Sequence, residues 1–345
     1  MKAVRLHRYD ERPVLEDVDE PVATGPFDVV VRVGGAGLCR TDLHIVEGQW
    51  AAKSNVALPY TLGHENAGWV HAVGPAVDHL RPGDAVILHP LVTCGFCRAC
   101  RAGDDVHCEA SAFPGIDTDG GMADLVKTSA RSVVPLAPGI EPAAVAALAD
   151  AGLTAYHAVK KAVPMLYPGS TCVVMGAGGL GHIGIQCLRA MSATRIVVLD
   201  RNEEALALTR DWGADETVVV DGGHVDRVLE MTGGKGAEVV LDFVGEHGAE
   251  RDSWAMTRRA GSDFVIGYGG TVDIPTIDVI STERNVVGNL VGSYNELVEL
   301  MALNAAGRVE MLTHTYPLDA VNDAMDDLDA GRLRGRGILV PSGAA

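Results

Sequence analysis

The sequence predicts an α/β protein of two domains, one β-rich and one built on a parallel sheet with crossover helices. Three observations carry this. Roughly the first 150 residues are short β-branched runs parted by Gly and Pro, the following stretch alternates strand and helix patterns, and a glycine-rich turn opens that alternation. A chain of 345 residues accommodates two domains of roughly 100 to 200 residues each. With 47% hydrophobic residues, 21% charged residues and 41 Gly, it can bury two cores and is neither disordered nor fibrous.

In the β-rich part, Asp28 to Val33, Gly68 to Val73, Ala85 to Leu88 and Leu125 to Val126 read as strands joined by long loops. Ala143 to Val163 is an Ala-rich stretch of helical period that Pro164 ends. Beyond it, Thr171 to Met175, Ile196 to Leu199, Thr217 to Val220, Glu238 to Phe243 and Asp263 to Gly267 read as strands. Glu203 to Trp212, Val225 to Thr232 and Ala249 to Arg259 read as amphipathic helices between them. Near the C-terminus, Tyr294 to Ala306 and Asp319 to Ala330 read as helices and Gly337 to Val340 as a strand. No repeat or low-complexity segment interrupts this order.

The net charge is −18, with 28 Lys and Arg against 46 Asp and Glu. Such a surface repels nucleic acid and anionic lipid, and no basic run longer than Arg332 to Arg336 offsets it, so neither is an expected partner. Met1 to Arg8 has a positive start, but Tyr9 to Pro13 interrupts before any apolar segment forms, and no uninterrupted apolar run is long enough for a membrane span. The expected location is the cytoplasm. Seven cysteines, an odd number with four crowded together, argue for a metal over a disulfide framework.

Gly176, Gly178 and Gly181 form a G-x-G-x-x-G spacing after an apolar strand and before a helical run, with Ala177, Gly179 and Leu180 between them. The first glycine permits a tight turn, the second lets backbone approach a pyrophosphate, and the third lets helix and strand pack closely. The helix N-terminus offers amides and a positive dipole to phosphate. Nineteen residues after Gly181, Asp200 ends the next strand, where a carboxylate bonds adenosine ribose hydroxyls and repels the extra phosphate of NADP. NAD is the favoured cofactor of this Rossmann pattern, although Arg201 can relieve part of the repulsion. Asp200 can also cap the helix starting near Asn202, and the two roles are compatible.

Cys94, Cys97 and Cys100, followed after seven residues by Cys108, place four thiols within 15 residues, enough to close a tetrahedral shell around a structural zinc. Cys39 and His64 stand apart, and each alone reads more simply as a packed residue. Cys172 and Cys187 read as core, and His157 and His182 as structural.

The run Cys39-Arg40-Thr41-Asp42-Leu43-His44, the pattern Gly63-His64-Glu65-x-x-Gly68-x5-Gly74, the four-cysteine lobe and the glycine fingerprint, in that order, resemble the zinc-dependent medium-chain alcohol dehydrogenase family over nearly the whole chain. The resemblance implies a GroES-like catalytic domain at 1–150 and 291–345 with its zinc lobe at 94–108, interrupted by a Rossmann NAD-binding domain at 151–290. It implies two zinc ions per subunit, a small alcohol and its aldehyde or ketone as substrates, and a homodimer or homotetramer. Cys39 and His64 would ligate the catalytic zinc, with Asp150 where many relatives have Cys; a carboxylate is an acceptable ligand, and the alternative for Asp150 is a helix cap.

The same resemblance gives Thr41 and His44 a proton relay by way of the cofactor ribose, Asp42 the orientation of the His64 ring, and Glu65 a part in ligand exchange. Thr154 would touch the nicotinamide, and Arg336 would contact the pyrophosphate unless it is a solvated loop cation. Trp50 and His89 would approach the substrate, with core packing the alternative for Trp50. A zinc-free reductase of the superfamily lacks the seven ligands present here. A polyol, sugar or amino-alcohol dehydrogenase would share them, and a nucleotide-binding or redox-sensing protein without turnover is the rival from another class.

Overall fold

The computed structural model describes residues 1–54 and 56–343, which divide into two compact units. One comprises Met1–Leu153, Gly292–Ala305 and Met311–Ala345, and the other Thr154–Val291 and Ala306–Glu310. Among the described residues no helix is long and apolar enough to cross a membrane.

The first unit is built around the long strand Asp28–Leu38, buried along almost its whole length because its Val-rich sequence is covered on both faces. Its sheet runs in the order Thr313–Pro317, Arg336–Val340, Asp28–Leu38, Glu65–Val73, Ala85–Leu88 and Val133–Pro135, with Leu125–Ser129 also pairing the central strand. Register does the positioning. Gly37 lies opposite Glu65, and Leu38 lies opposite Gly337, both in antiparallel pairs. Cys39, His64, Glu65 and Arg336 therefore reach one end of the sheet although they are far apart in sequence.

The second unit carries six parallel strands in the order Glu216–Val219, Arg195–Asp200, Thr171–Met175, Ala237–Asp242, Thr257–Val265 and Asn285–Gly288. Numbered within the unit this is 3-2-1-4-5-6, the doubly wound Rossmann order, whose crevice lies at the carboxyl ends of the central strands. Val173, Val197, Val240 and Met256 are among its wholly buried core residues. The sixth strand is short, mostly exposed and at the sheet edge, which is why its residues gave no strand signal.

Three expected helices differ; the one expected from Glu203 to Trp212 ends at Thr209. The stretch expected as one helix from Ala143 to Val163 is the helix Pro142–Val145, a 3-10 turn Ala146–Ala149, and the helix Ala151–Ala162. It breaks at Asp150, whose φ of −127° is not helical, and the amide of Ala151 donates to Glu65 Oε1 at 3.0 Å. The helix expected to reach Arg259 stops at Met256: Thr257 turns extended and its hydroxyl donates to the Ser253 carbonyl at 2.8 Å. The strand expected from Asp263 accordingly starts at Thr257.

Candidate functional site

Cys39, His64, Glu65 and Asp150 each offer a ligand atom, and these atoms lie within 4.8 Å of one another. Cys39 precedes the short helix Arg40–Val46, and its amide donates to Asp42 Oδ2 at 2.8 Å. That bond leaves Asp42 Oδ1 facing His64 Nδ1 at 3.4 Å, while His64 Nε2 faces Asp150 Oδ2 at 3.5 Å. Neither nitrogen of this buried ring completes a hydrogen bond. An orphaned, buried Nε2 beside a thiol and a carboxyl fits a metal ion.

The electrostatics agree. Burial alone would lower the pKa of His64, but Asp42 and Cys39 beside it outweigh burial and hold it well above the usual histidine value. Glu65 is wholly buried, and burial, offset in part by Arg336 and His64, raises its pKa. Its Oε1 accepts from Ala151 and its Oε2 from Arg336. Gly37 makes room for it, since a Cβ there would lie 2.1 Å from Glu65 Oε2. Sequence reading missed Gly37, because close approach across a sheet leaves no local pattern.

Arg336 is only 4% exposed, so it is no solvated loop cation, and its guanidinium meets Glu65 at the metal cluster. The physical reason is the register that sets it beside Cys39, where Glu65 and Cys39 overcome the burial that works against its charge. Thr41 is half-buried and His44 buried, three residues apart on the helix that follows Cys39. His89 is buried, with Nδ1 3.1 Å from the Leu91 carbonyl and Nε2 2.9 Å from that of Gly292. Its ring is thus occupied by backbone, and Trp50 packs on the apolar core.

The second cluster is the lobe of Cys94, Cys97, Cys100 and Cys108. Cys94 Sγ and Cys100 Sγ lie 3.9 Å apart, against about 3.8 Å for an edge of a tetrahedron with zinc–sulfur distances near 2.3 Å. Backbone amides of Phe96 and Cys97 donate to Cys94 Sγ and pull its pKa down to about 6, whereas burial pushes Cys100 up to about 12. All seven cysteines are free thiols. Cys172 and Cys187 are wholly buried, as core residues, and burial raises both thiols.

In the other unit, Gly176 has φ +92°, a Cβ on Gly178 would meet open space, and one on Gly181 would lie 1.8 Å from the Gly176 carbonyl. Each matches the duty its place in the fingerprint assigns. Gly178 is exposed, Gly179 and Leu180 are half-buried, and the helix Gly181–Met191 begins with Leu180 as an N-cap that forms no side-chain cap. Asp200 Oδ2 accepts from the Ala177 amide at 2.7 Å and Oδ1 from Asn202 at 2.8 Å. The helix cap is Asn202, not Asp200. Asp200 and Arg201 line a cavity of about 200 Å3 together with Gly176, Val244 and His247. Thr154 lies half-buried in the helix Ala151–Ala162.

A paired-metal catalytic unit joined to a Rossmann unit defines a zinc-dependent dehydrogenase, and comparison with known proteins specifies which. The alcohol dehydrogenase GroES-like domain matches residues 25–138, and the zinc-binding dehydrogenase domain matches residues 179–306. An alcohol dehydrogenase of Geobacillus stearothermophilus is 32% identical, covering 98% of this chain and 99% of the relative. An NAD-dependent alcohol dehydrogenase of Sulfolobus acidocaldarius is 31% identical over 98% and 99%. The crystal structure of the alcohol dehydrogenase of Aeropyrum pernix superposes with a TM-score of 0.96 at 46% identity, covering 99% of this chain and 100% of that one. The chain belongs to the zinc-dependent medium-chain alcohol dehydrogenase family.

Proposed function

We propose that Cys39, His64 and Asp150 hold the catalytic zinc of this NAD-dependent alcohol dehydrogenase, and that Cys94, Cys97, Cys100 and Cys108 hold a structural one. The enzyme interconverts an alcohol and its aldehyde or ketone by hydride transfer to or from NAD. The observation that carries the assignment is the buried, unbonded His64 Nε2 facing Asp150 beside Cys39. When bound, zinc supplies Lewis acidity to the alcohol oxygen and NAD supplies the hydride acceptor.

The chain's own residues do the rest. Asp42 fixes the ring of His64, and the Glu65–Arg336 pair buttresses the metal set from behind. Thr41 receives the alcohol proton at its hydroxyl as it gives up its own toward His44, which passes a proton to water; their spacing of three on one helix supports this path. Residues 1–150 and 291–345 serve catalysis and 151–290 bind NAD, supported by the place of the two metal sets and the glycine loop. Asp200 selects NAD, and Arg201 and Thr154 complete the contacts. The free thiols support a cytoplasmic enzyme. A homodimer or homotetramer is supported by the edge strand Asn285–Gly288, whose outer side pairs with no strand among the described residues, and by the exposed Ile277, Ile280 and Leu290 near it in sequence.

The test is the initial rate of NAD reduction with primary, secondary, benzylic and polyol substrates, beside NADP and chelator-treated controls. The expected result is chelator-sensitive reduction of NAD by one alcohol class. Silence across the plate with zinc present, or equal rates after zinc removal, would overturn it.

A further inference from the structure

His182 reads in sequence as a structural histidine, and it is the second residue of the helix that follows the glycine loop. In the fold it does something more specific. Its side chain is wholly buried, its ring leans on Trp212 at 5.3 Å between centroids, and its Nδ1 lies 3.0 Å from the carbonyl of Gly178. The backbone amide of the same residue donates to the same carbonyl at 3.1 Å. One oxygen of the glycine loop thus faces two donors from a single residue, and a carbonyl has the two lone pairs to accept both.

The consequence follows from peptide geometry. The bond between Gly178 and Gly179 is trans and planar, so its C=O and N–H point in opposite directions. A carbonyl held inward fixes the Gly179 N–H outward. Glycine at both positions lowers the steric cost of turning this peptide as a unit, so the ring bond is a second restraint added to the one from the His182 main-chain amide. Its outer face is open, since no atom lies within 4 Å of a Cβ built on Gly178 and that residue is exposed. The helix is also fastened further on: Gln186 Nε2 donates to the His182 carbonyl at 3.0 Å and to the Glu310 carbonyl at 2.8 Å.

We infer that His182 is a positioning residue for the dinucleotide, holding the Gly178–Gly179 peptide so that the Gly179 amide faces the pyrophosphate. The inference rests on the reading of this unit as the NAD-binding one. Because His182 acts on one peptide, its loss should weaken ligands that carry a pyrophosphate and spare those that do not.

The experiment is calorimetric titration of the zinc-loaded enzyme with ADP-ribose and, separately, with adenosine. Four proteins are compared: wild type, His182→Ala, His182→Phe and His182→Asn. Phe keeps a ring against Trp212 but removes the donor, whereas the Asn amide places an N–H where Nδ1 stood. Loss of one hydrogen bond of this kind is worth up to about tenfold in affinity. ADP-ribose should weaken by about that factor in the Ala and Phe variants and by less than about threefold in Asn, with adenosine unchanged throughout. Parallel weakening of adenosine, or wild-type ADP-ribose affinity in His182→Phe, would overturn the inference. A wild type that binds neither ligand would refute the NAD-binding reading itself, and the inference with it.

Discussion

The two metal sets of this chain solve different problems with overlapping chemistry. The lobe at 94–108 draws four ligands of one type from one loop, partly exposed, with backbone amides already turned toward the sulfurs. The other set draws a thiol, an imidazole and a carboxyl from three distant segments into a largely buried site, with the Glu65–Arg336 pair behind them. A local set of four like ligands can close on its metal and contribute to folding. A dispersed, mixed set sits where the sheet register puts it, and it can leave a position for substrate. The contrast predicts that damage to one set should be felt as instability, and damage to the other as lost chemistry.

The largest effect should come from Cys39→Ala. Steady-state rates should fall by more than the roughly 10- to 100-fold that loss of an outer partner of a metal ligand costs, while the melting temperature stays near wild type. Cys97→Ser should behave in reverse: one zinc fewer per chain and a clearly lower melting temperature in a thermal scan, with turnover per remaining folded molecule largely kept. If both variants lose stability and activity in equal measure, the division of labour between the sets is wrong.

Asp42→Asn probes the support of His64 and should cost roughly 10- to 100-fold in zinc affinity or turnover, read by competition with a chromogenic chelator. It should do so without touching the four-cysteine zinc.

A last effect, on stability alone, sharpens the comparison from outside either set. Asp263 is a buried acid with no metal-ligating neighbours; burial first, then Asp242, raises its pKa to about 7, and neither of its oxygens has a hydrogen bond. Raised above its unfolded value, it contributes stability that is full below about pH 4 and lost as pH rises through 7. Asp263→Asn should therefore stabilise the enzyme by roughly 2 to 4 kcal/mol at pH 8 and by little near pH 4, measured by denaturant unfolding at both. An equal gain at both pH values would contradict this.

Legibility in the sequence follows the same contrast. Contiguous features could be read directly: the cysteine spacing, the glycine fingerprint and the alternation that becomes the Rossmann sheet are local patterns. The catalytic set could be reached only through resemblance, because 111 positions separate Cys39 from Asp150 and strand register, which brings such residues together, leaves no local mark. Arg336 is a further case: its place beside Glu65 is set by pairing of Gly337 with Leu38, a tertiary fact. Likewise the break at Asp150 is invisible in an Ala-rich helical pattern, since it depends on Glu65 taking the Ala151 amide.

The most direct test of the account is zinc stoichiometry, measured together with NAD-dependent alcohol oxidation, in wild type and Asp150→Ala. The account predicts two zinc ions per wild-type chain and one in the variant, with oxidation largely abolished and the melting temperature little changed. Two zinc ions and full activity in Asp150→Ala would contradict it.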